Sequence, residues 1–279
     1  MFEPRSQREP QINLEEAPRI LEEFLSLYRQ YIVAMFDVDS ARNLPYVYRK
    51  EKDGRRITEN IDLSKADEKR IRVLSEIKEM RRTQPWLKDA EEYVNNVREI
   101  RILEEKLRGL EEELYRVKEI EDKEGSEVIE LTGMGEPQEK PQIKKLEREI
   151  KEVRQKLDQL RARINNLAEN LPEELRGRLD QEGLGIVFDW DNECVPYLEA
   201  VERGDKERIE SMEKENPYLR FLQYYRFAWL EIRYYQKENR QPEEYAYFVD
   251  RIEQISTYFS PEIKRRLEDY LKEKYSKTQ

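Results

Sequence analysis

The sequence predicts a mainly α-helical protein, with a helical body, a long antiparallel coiled-coil hairpin and one small β-hairpin. The composition indicates helix, because 41% of the 279 residues are charged and only nine are glycine. Two stretches carry apolar residues at alternating steps of three and four, which is typical of coiled coils. One Asp-Gly pair lies between β-prone residues, and this pattern favours a tight hairpin turn.

The first 84 residues predict an arm and two helices. Residues 1–12 are expected to be a flexible arm, because Pro4 and Pro10 interrupt a stretch without helical periodicity. Residues 13–84 then form the N-terminal helices. The first is predicted from about Leu14 to Phe36, where apolar residues recur at the spacing of one buried helix face.

The β-hairpin is predicted over residues 46–61, with Asp53-Gly54 at its turn. A two-stranded hairpin is only marginally stable alone in water, so we expect it to pack on helices or on a partner. Helix resumes near Ser64 and is predicted to end near Arg82, before a proline break.

Residues 85–171 predict the coiled-coil hairpin. Its first helix extends from Pro85 to about Lys123, and its second begins near Ile143. Residues 124–142 contain three glycines and two prolines, so we expect a loop at the tip rather than continuous helix.

Opposite charges predict that the two arms of the hairpin pair with each other. Residues 98–124 carry seven basic and ten acidic side chains, a net charge of −3. Residues 140–163 carry nine basic and four acidic side chains, a net charge of +5. A parallel homodimer would place like charges side by side, so the pattern favours antiparallel pairing within one chain.

Residues 172–279 predict an aromatic-rich C-terminal helical domain, since 11 of the 17 tyrosines lie between Tyr197 and Tyr275. The helix over Pro217–Glu238 is apolar or aromatic around nearly its whole circumference. Such a helix lies at the centre of a core or in an interface. The six helices expected here cover 172–180, 192–203, 205–214, 217–238, 242–257 and 261–274.

Aromatic and arginine side chains on the helix over Pro217–Glu238 are the candidates for a protein interface, because tyrosine, tryptophan and arginine dominate binding hot spots. The alternative for the same residues is a plain core. The candidates are Tyr224, Tyr225, Arg226, Trp229, Arg233 and Tyr234.

The basic residues of the β-hairpin are the candidates for nucleic-acid contact: Arg49, Lys50, Lys52, Arg55 and Arg56. They could hold phosphates while the neighbouring tyrosines stack on bases. Two other interpretations stay open, since basic side chains also prevent edge-to-edge aggregation of exposed strands, and the edge could bind a protein.

Most enzyme chemistries lack their residues in this chain. It contains no histidine and one cysteine, Cys194, so it supports neither a His/Cys zinc site nor Ser-His-Asp or Cys-His catalysis. No glycine-rich phosphate loop is present. We expect no catalytic residue, no metal and no cofactor. An enzyme that relies on carboxylates alone is the third-ranked class of function.

The segment Leu184–Glu193 contains an apolar run that ends in Asp189-Trp190-Asp191. An apolar run followed by this pattern resembles the nucleophile strand of haloacid-dehalogenase-type phosphotransferases, which implies Asp189 as nucleophile and Asp191 as acid/base. That strand opens an α/β domain, whereas the residues that follow here predict only helices. We therefore interpret the segment as a buried connection in which Asp189, Asp191 or Asn192 caps the next helix.

These observations predict a non-enzymatic scaffold or assembly protein that acts through protein–protein contacts, as a subunit of a complex or a homo-oligomer. A cellular subunit and a viral or mobile-element component fit equally, so we expect a cytoplasmic or virion-associated protein. The alternative is a nucleic-acid-associated protein that uses residues 48–56 and the basic arm 140–163. The net charge of −10 makes this alternative less favourable.

No membrane partner is expected. The longest apolar stretch, residues 31–36, is far shorter than the roughly 20 residues of a spanning helix. No signal peptide is expected either, since no apolar run follows the polar first residues. The wealth of Glu, Lys and Arg with few Cys and Met resembles thermophile proteins, which does not bear on function.

Overall fold

The computed structural model describes residues 12–43, 48–52, 55–59, 62–132 and 141–276. The fold is mainly helical, as the composition predicts. The described part of the chain contains ten α-helices: α1 Ala17–Asn43, α2 Leu63–Thr83, α3 Leu87–Thr132, α4 Pro141–Asn170, α5 Glu173–Leu184, α6 Val195–Arg203, α7 Lys206–Glu215, α8 Leu219–Lys237, α9 Pro242–Ser256 and α10 Pro261–Ser276. It also contains a short π-helix, Trp190–Cys194, and two strands, β1 Tyr48–Lys52 and β2 Arg55–Glu59.

The two strands pair antiparallel, with Tyr48 opposite Glu59 and Lys52 opposite Arg55. The predicted turn, Asp53-Gly54, lies outside the described residues, as does all but the last residue of the predicted arm 1–12. None of the described helices is long and apolar enough to cross a membrane.

The N-terminal core is built by the first half of α1 together with α2, the start of α3, the end of α4 and α5. Its side chains follow the helical spacing that the sequence shows, so each helix buries one face. The residues that define it are Leu21, Phe24, Leu25, Val73, Ile77, Leu87, Val94, Leu175 and Leu179.

The aromatic core lies between the second half of α1 and helices α6, α8, α9 and α10. Its rings pack edge-on or offset, as in the contact of Phe36 with Phe221 at 4.9 Å between centroids. The residues that define it are Val33, Phe188, Tyr197, Tyr218, Phe221, Tyr225, Phe259, Leu267 and Leu271.

Helix α1 is longer than predicted, because it ends at Asn43 rather than near Phe36. The polar residues after Phe36 resemble a helix end, yet they make long-range ion pairs. Asp37 pairs with Arg220 at 2.8 Å, and Asp39 pairs with Arg251. These partners from α8 and α9 hold the last turns of α1 in place, and no short-range pattern predicts them.

Helices α3 and α4 lie side by side and antiparallel. Six predicted apolar positions of α4 are buried: Ile143, Leu146, Ile150, Val153, Leu157 and Leu160. Four ion pairs join the two helices, namely Glu99–Lys156, Glu104–Arg161, Glu111–Arg154 and Lys118–Glu147, at 2.5 to 2.8 Å. Three of the four have the carboxylate on α3, which is the direction that the charge pattern predicts.

The predicted loop over residues 124–142 needs correction at its start. Helix α3 continues through Gly125 to Thr132, whereas the sequence predicts its end near Lys123. One glycine costs a helix only about 1 kcal/mol, which a long helix can absorb. Residues 133–140, where the other two glycines and Pro137 lie, fall outside the described residues.

Candidate functional site

An open groove of about 670 Å³ lies between the C-terminal halves of α8 and α10. We call it the α8–α10 groove. Helix α8 contributes Trp229, Leu230, Ile232, Arg233, Tyr234, Gln236 and Lys237 to it, and α10 contributes Lys272 and Tyr275. The lining therefore contains three aromatic rings and three cations but no carboxylate.

Arginines cover the aromatic rings of the α8–α10 groove. The guanidinium of Arg233 lies 4.8 Å from the ring centre of Trp229, and that of Arg226 lies 5.3 Å from the ring of Tyr275. Arg226 also donates a hydrogen bond of 2.8 Å to the Tyr275 hydroxyl. Such cation–π contacts are among the reasons why arginine and aromatic residues pair at binding surfaces.

The end of α10 is fixed against α6, which sets the width of the groove. The Tyr275 hydroxyl donates to Glu202 at 3.0 Å, and Lys274 pairs with the same carboxylate. Partial burial lowers the pKa of Lys274, but hydrogen bonds to Glu202 and Tyr270 outweigh this and raise it above the ordinary value. Lys274 is therefore a structural cation and does not belong to the lining.

Two of the six residues predicted for the interface belong to the aromatic core. Tyr224 and Tyr225 are only 4% and 1% exposed. The Tyr224 hydroxyl donates to Asp37, and the Tyr225 hydroxyl donates to Glu268 at 3.0 Å. Burial raises the pKa of both phenols above the ordinary value. These two side chains have no surface left to offer a partner.

The other four predicted interface residues lie at the surface of α8. Tyr234 is exposed, while Arg226, Trp229 and Arg233 are half-buried. Three of them line the α8–α10 groove, and Arg226 supports it from below Tyr275. The sequence pattern does not say which part of the circumference of α8 faces outward, and the structure places Tyr224 and Tyr225 inward and Tyr234 outward.

The five basic residues predicted to contact nucleic acid lie on the two strands. Arg49, Lys50 and Lys52 belong to β1, and Arg55 and Arg56 belong to β2. The register places Lys52 opposite Arg55 and Glu51 opposite Arg56.

The Asp189 segment is a helix cap. The Asp189 carboxylate accepts hydrogen bonds of 3.1 Å from the backbone N–H groups of Asp191 and Asn192. Hydrogen bonds from Asn192 lower the pKa of Asp189. The chain then enters the π-helix and α6 rather than a sheet, so the capping interpretation is confirmed. Cys194, within the same π-helix, is fully buried, and burial raises the pKa of its thiol.

A polar junction of charged side chains, which the sequence analysis missed, joins the two cores. Glu182 of α5 is 1% exposed and accepts hydrogen bonds from Arg29 Nε at 3.0 Å and Arg29 Nη2 at 2.6 Å. Arg98 of α3 is 7% exposed, and its guanidinium lies 4.6 Å from the ring centre of Tyr258.

Arg101 completes this polar junction by binding the ends of two helices. Its Nη1 donates to the carbonyl oxygens of Leu184 at 2.7 Å and Phe259 at 2.5 Å, and its Nη2 donates to that of Thr257. Burial is the main cause that lowers the pKa of Arg101 to about 10. The signal in the sequence is the spacing Ala90, Val94, Val97, Arg101, which places the arginine on the buried stripe of α3.

Within the described part of the chain, no three Cys, Asp or Glu side chains converge as a metal ion requires. Comparison with known proteins gives no match: no family model, no curated protein and no solved structure is similar to this chain.

Proposed function

We propose that this protein is a non-enzymatic scaffold that assembles with other proteins through an antiparallel coiled-coil arm and the α8–α10 groove. The observation that carries the proposal is the outer part of the α3–α4 pair. Its described apolar residues, from Ile102 to Ile120 on α3 and from Ile143 to Leu160 on α4, belong to neither the N-terminal core nor the aromatic core. From Arg101 to Thr132, α3 extends by about 45 Å at 1.5 Å per residue.

Beyond Arg101, the described apolar side chains of this arm pack outside both cores. The buried apolar residues of α4 and the four interhelical ion pairs stabilise the arm itself. Along one side, Glu111, Leu114, Tyr115, Ile150 and Arg154 line an open depression of about 540 Å³. Tyr115 there is 71% exposed. An exposed aromatic ring on a rigid, charged helix pair fits a surface that meets a partner.

Shortening the arm tests the proposal. Deleting residues 107–120 and 145–158 removes two heptads from each helix and keeps the observed register, since Glu111–Arg154 and Lys118–Glu147 define the same alignment. We expect the variant to keep its cooperative unfolding transition and to leave its native assembly, as measured by light scattering and crosslinking mass spectrometry of extracts from the source.

The matched control exchanges one ion pair outside this depression, as Glu104→Arg with Arg161→Glu, and keeps the length of the arm. We expect this control to remain assembled. If the shortened variant stays in the assembly at the level of the unmodified protein, the arm is not the contact and the proposal fails.

The alternative is a nucleic-acid-associated protein that uses the strands at 48–56 and the basic arm 140–163. The basic arm supports it less than its charge suggests. Arg154, Lys156 and Arg161 each pair with a carboxylate of α3, so part of the net charge of +5 is neutralised within the chain. Binding of nucleic acid depends on cations that are free to meet phosphates.

A further inference from the structure

We infer that the α8–α10 groove binds an acidic segment of a partner protein, one that carries glutamate or aspartate side chains around an aromatic or aliphatic residue. The inference rests on the scaffold function proposed above and names the kind of partner that this groove fits. Its basis is charge complementarity. The lining holds Arg233, Lys237 and Lys272 without any carboxylate, although Glu268 outside the lining lies 3.8 Å from Lys272 and the whole chain carries a net charge of −10.

Two of the three cations lie in one row on α8, next to Trp229. Trp229, Arg233 and Lys237 follow each other at intervals of four residues and so lie along one side of α8. Successive members are separated by about 6 Å along the axis, at 1.5 Å per residue. Carboxylates at every second residue of an extended segment, or at every fourth residue of a helix, have a similar separation.

The apolar part of the groove is the reason why the partner segment needs an aromatic or aliphatic residue. Leu230, Ile232 and Tyr234 of α8 and Tyr275 of α10 surround the row of cations. An aromatic or aliphatic side chain of the partner would be buried among them, while its neighbouring carboxylates reach the cations. Interfaces commonly combine a buried apolar anchor with a charged rim.

The groove fits a protein better than a nucleic acid, because arginines already lie against two of the three rings that could stack on bases. Arg233 lies over Trp229, and Arg226 lies over Tyr275, at 4.8 and 5.3 Å. Tyr234, the third ring, packs edge-on against Tyr235 at 5.9 Å. Single-stranded nucleic acid relies on free aromatic faces for sequence-independent stacking, whereas carboxylates need only the outer N–H groups of the cations.

The test uses a short fluorescein-labelled peptide rich in glutamate with one central phenylalanine, and the same peptide with glutamine for glutamate. Fluorescence anisotropy measures the affinity of the full chain for both. We expect the glutamate peptide to bind at least about tenfold more tightly, and its affinity to fall as salt is raised.

Two triple variants separate the groove from the general charge of the protein. The groove variant combines Arg233→Glu, Lys237→Glu and Lys272→Glu. The control combines Lys65→Glu, Arg72→Glu and Lys78→Glu on exposed positions of α2, with the same change in net charge. We expect about a tenfold loss of peptide affinity in the groove variant only. If the groove variant unfolds, the milder pair Lys237→Gln and Lys272→Gln gives the measurement.

Several results would overturn the inference: equal binding of the two peptides, equal loss in both triple variants, absence of binding, or tighter binding of a single-stranded oligonucleotide at the groove. A change from dimer to monomer in the groove variant would instead assign the surface to a second copy of the chain. If the peptide test fails while assembly still depends on the arm, the acidic partner is rejected and the proposed scaffold function is retained. If the shortened variant stays assembled while the groove binds the acidic peptide, the arm contact is rejected and the inference about the groove is retained.

Discussion

Arg101→Met is the most informative single substitution for the fold. The guanidinium of Arg101 donates three hydrogen bonds to the carbonyls that end α5 and α9. Hydrogen bonds from a charged donor contribute about 2 kcal/mol each, so the three together contribute about 6 kcal/mol. Carbonyls at helix C-termini also carry partial negative charge, which favours a cation there.

The cost of burying the charge offsets about half of this gain. Burial lowers the pKa of Arg101 from 12.5 to about 10, and each pKa unit corresponds to roughly 1.4 kcal/mol, or about 3 kcal/mol in all. The difference predicts that Arg101→Met lowers the free energy of unfolding by about 3 kcal/mol. Methionine fills a similar volume, so the loss reflects the hydrogen bonds rather than a cavity.

Urea denaturation followed by circular dichroism measures this free energy. The matched control is Arg72→Met on α2, whose side chain is 70% exposed and 3.9 Å from Glu76. We expect a change within about 0.5 kcal/mol for the control. A loss below about 1 kcal/mol in Arg101→Met, or a loss equal to that of the control, would refute the assignment of Arg101 as the clamp between the two helix ends.

Three further predictions concern the backbone, the tyrosines and the strands. Gly185 has positive φ, and a Cβ there would lie 2.8 Å from the Tyr258 carbonyl oxygen, whereas a Cβ at Gly177 on α5 would meet nothing within 4 Å. Gly185→Ala should therefore cost about 3 kcal/mol in thermal or urea unfolding and Gly177→Ala nothing, and equal costs would contradict this. Burial raises the pKa of Tyr93 to about 12, so the unfolded chain loses the phenol proton at a lower pH than the folded chain does. The contribution of Tyr93 to the free energy of unfolding is therefore complete below pH 10 and falls as the pH rises towards 12. An unchanged urea midpoint at alkaline pH would argue against this prediction. Neutralising Arg49, Lys50, Arg55 and Arg56 together should leave oligonucleotide binding as weak as in the unmodified protein; tight, salt-sensitive binding that this variant loses, with a log–log salt slope flattened by roughly 0.7 to 0.9 per contact, would favour the nucleic-acid alternative.

Local patterns predicted the helices well and their surroundings poorly. The apolar positions of α4 are buried as expected, because a repeat of three and four residues specifies one face without reference to the rest of the chain. The six predicted C-terminal helices agree with α5 to α10 within a few residues, since prolines and capping residues mark their starts.

What the sequence does not reveal depends on distant partners. Tyr224 faces inward because its hydroxyl donates a hydrogen bond to Asp37, which also accepts one from Arg220. Asp37 precedes Tyr224 by 187 residues in the sequence. Arg98 and Arg101 are buried although arginine is ordinarily exposed. Arg98 lies over the ring of Tyr258, and Arg101 donates hydrogen bonds to three backbone carbonyls. Only a fold that brings these segments together makes such positions favourable.

The extended α1 has a consequence for how the chain is made. The second half of α1 can form its ion pairs only after their partners have been synthesised. These partners follow by 183 residues, from Asp37 to Arg220, and by 212 residues, from Asp39 to Arg251. During synthesis, Val33 and Phe36 are therefore exposed until α8 and α9 have left the ribosome. Contacts of such long range slow folding, so we expect the nascent protein to depend on a chaperone or on prompt assembly to protect this stretch.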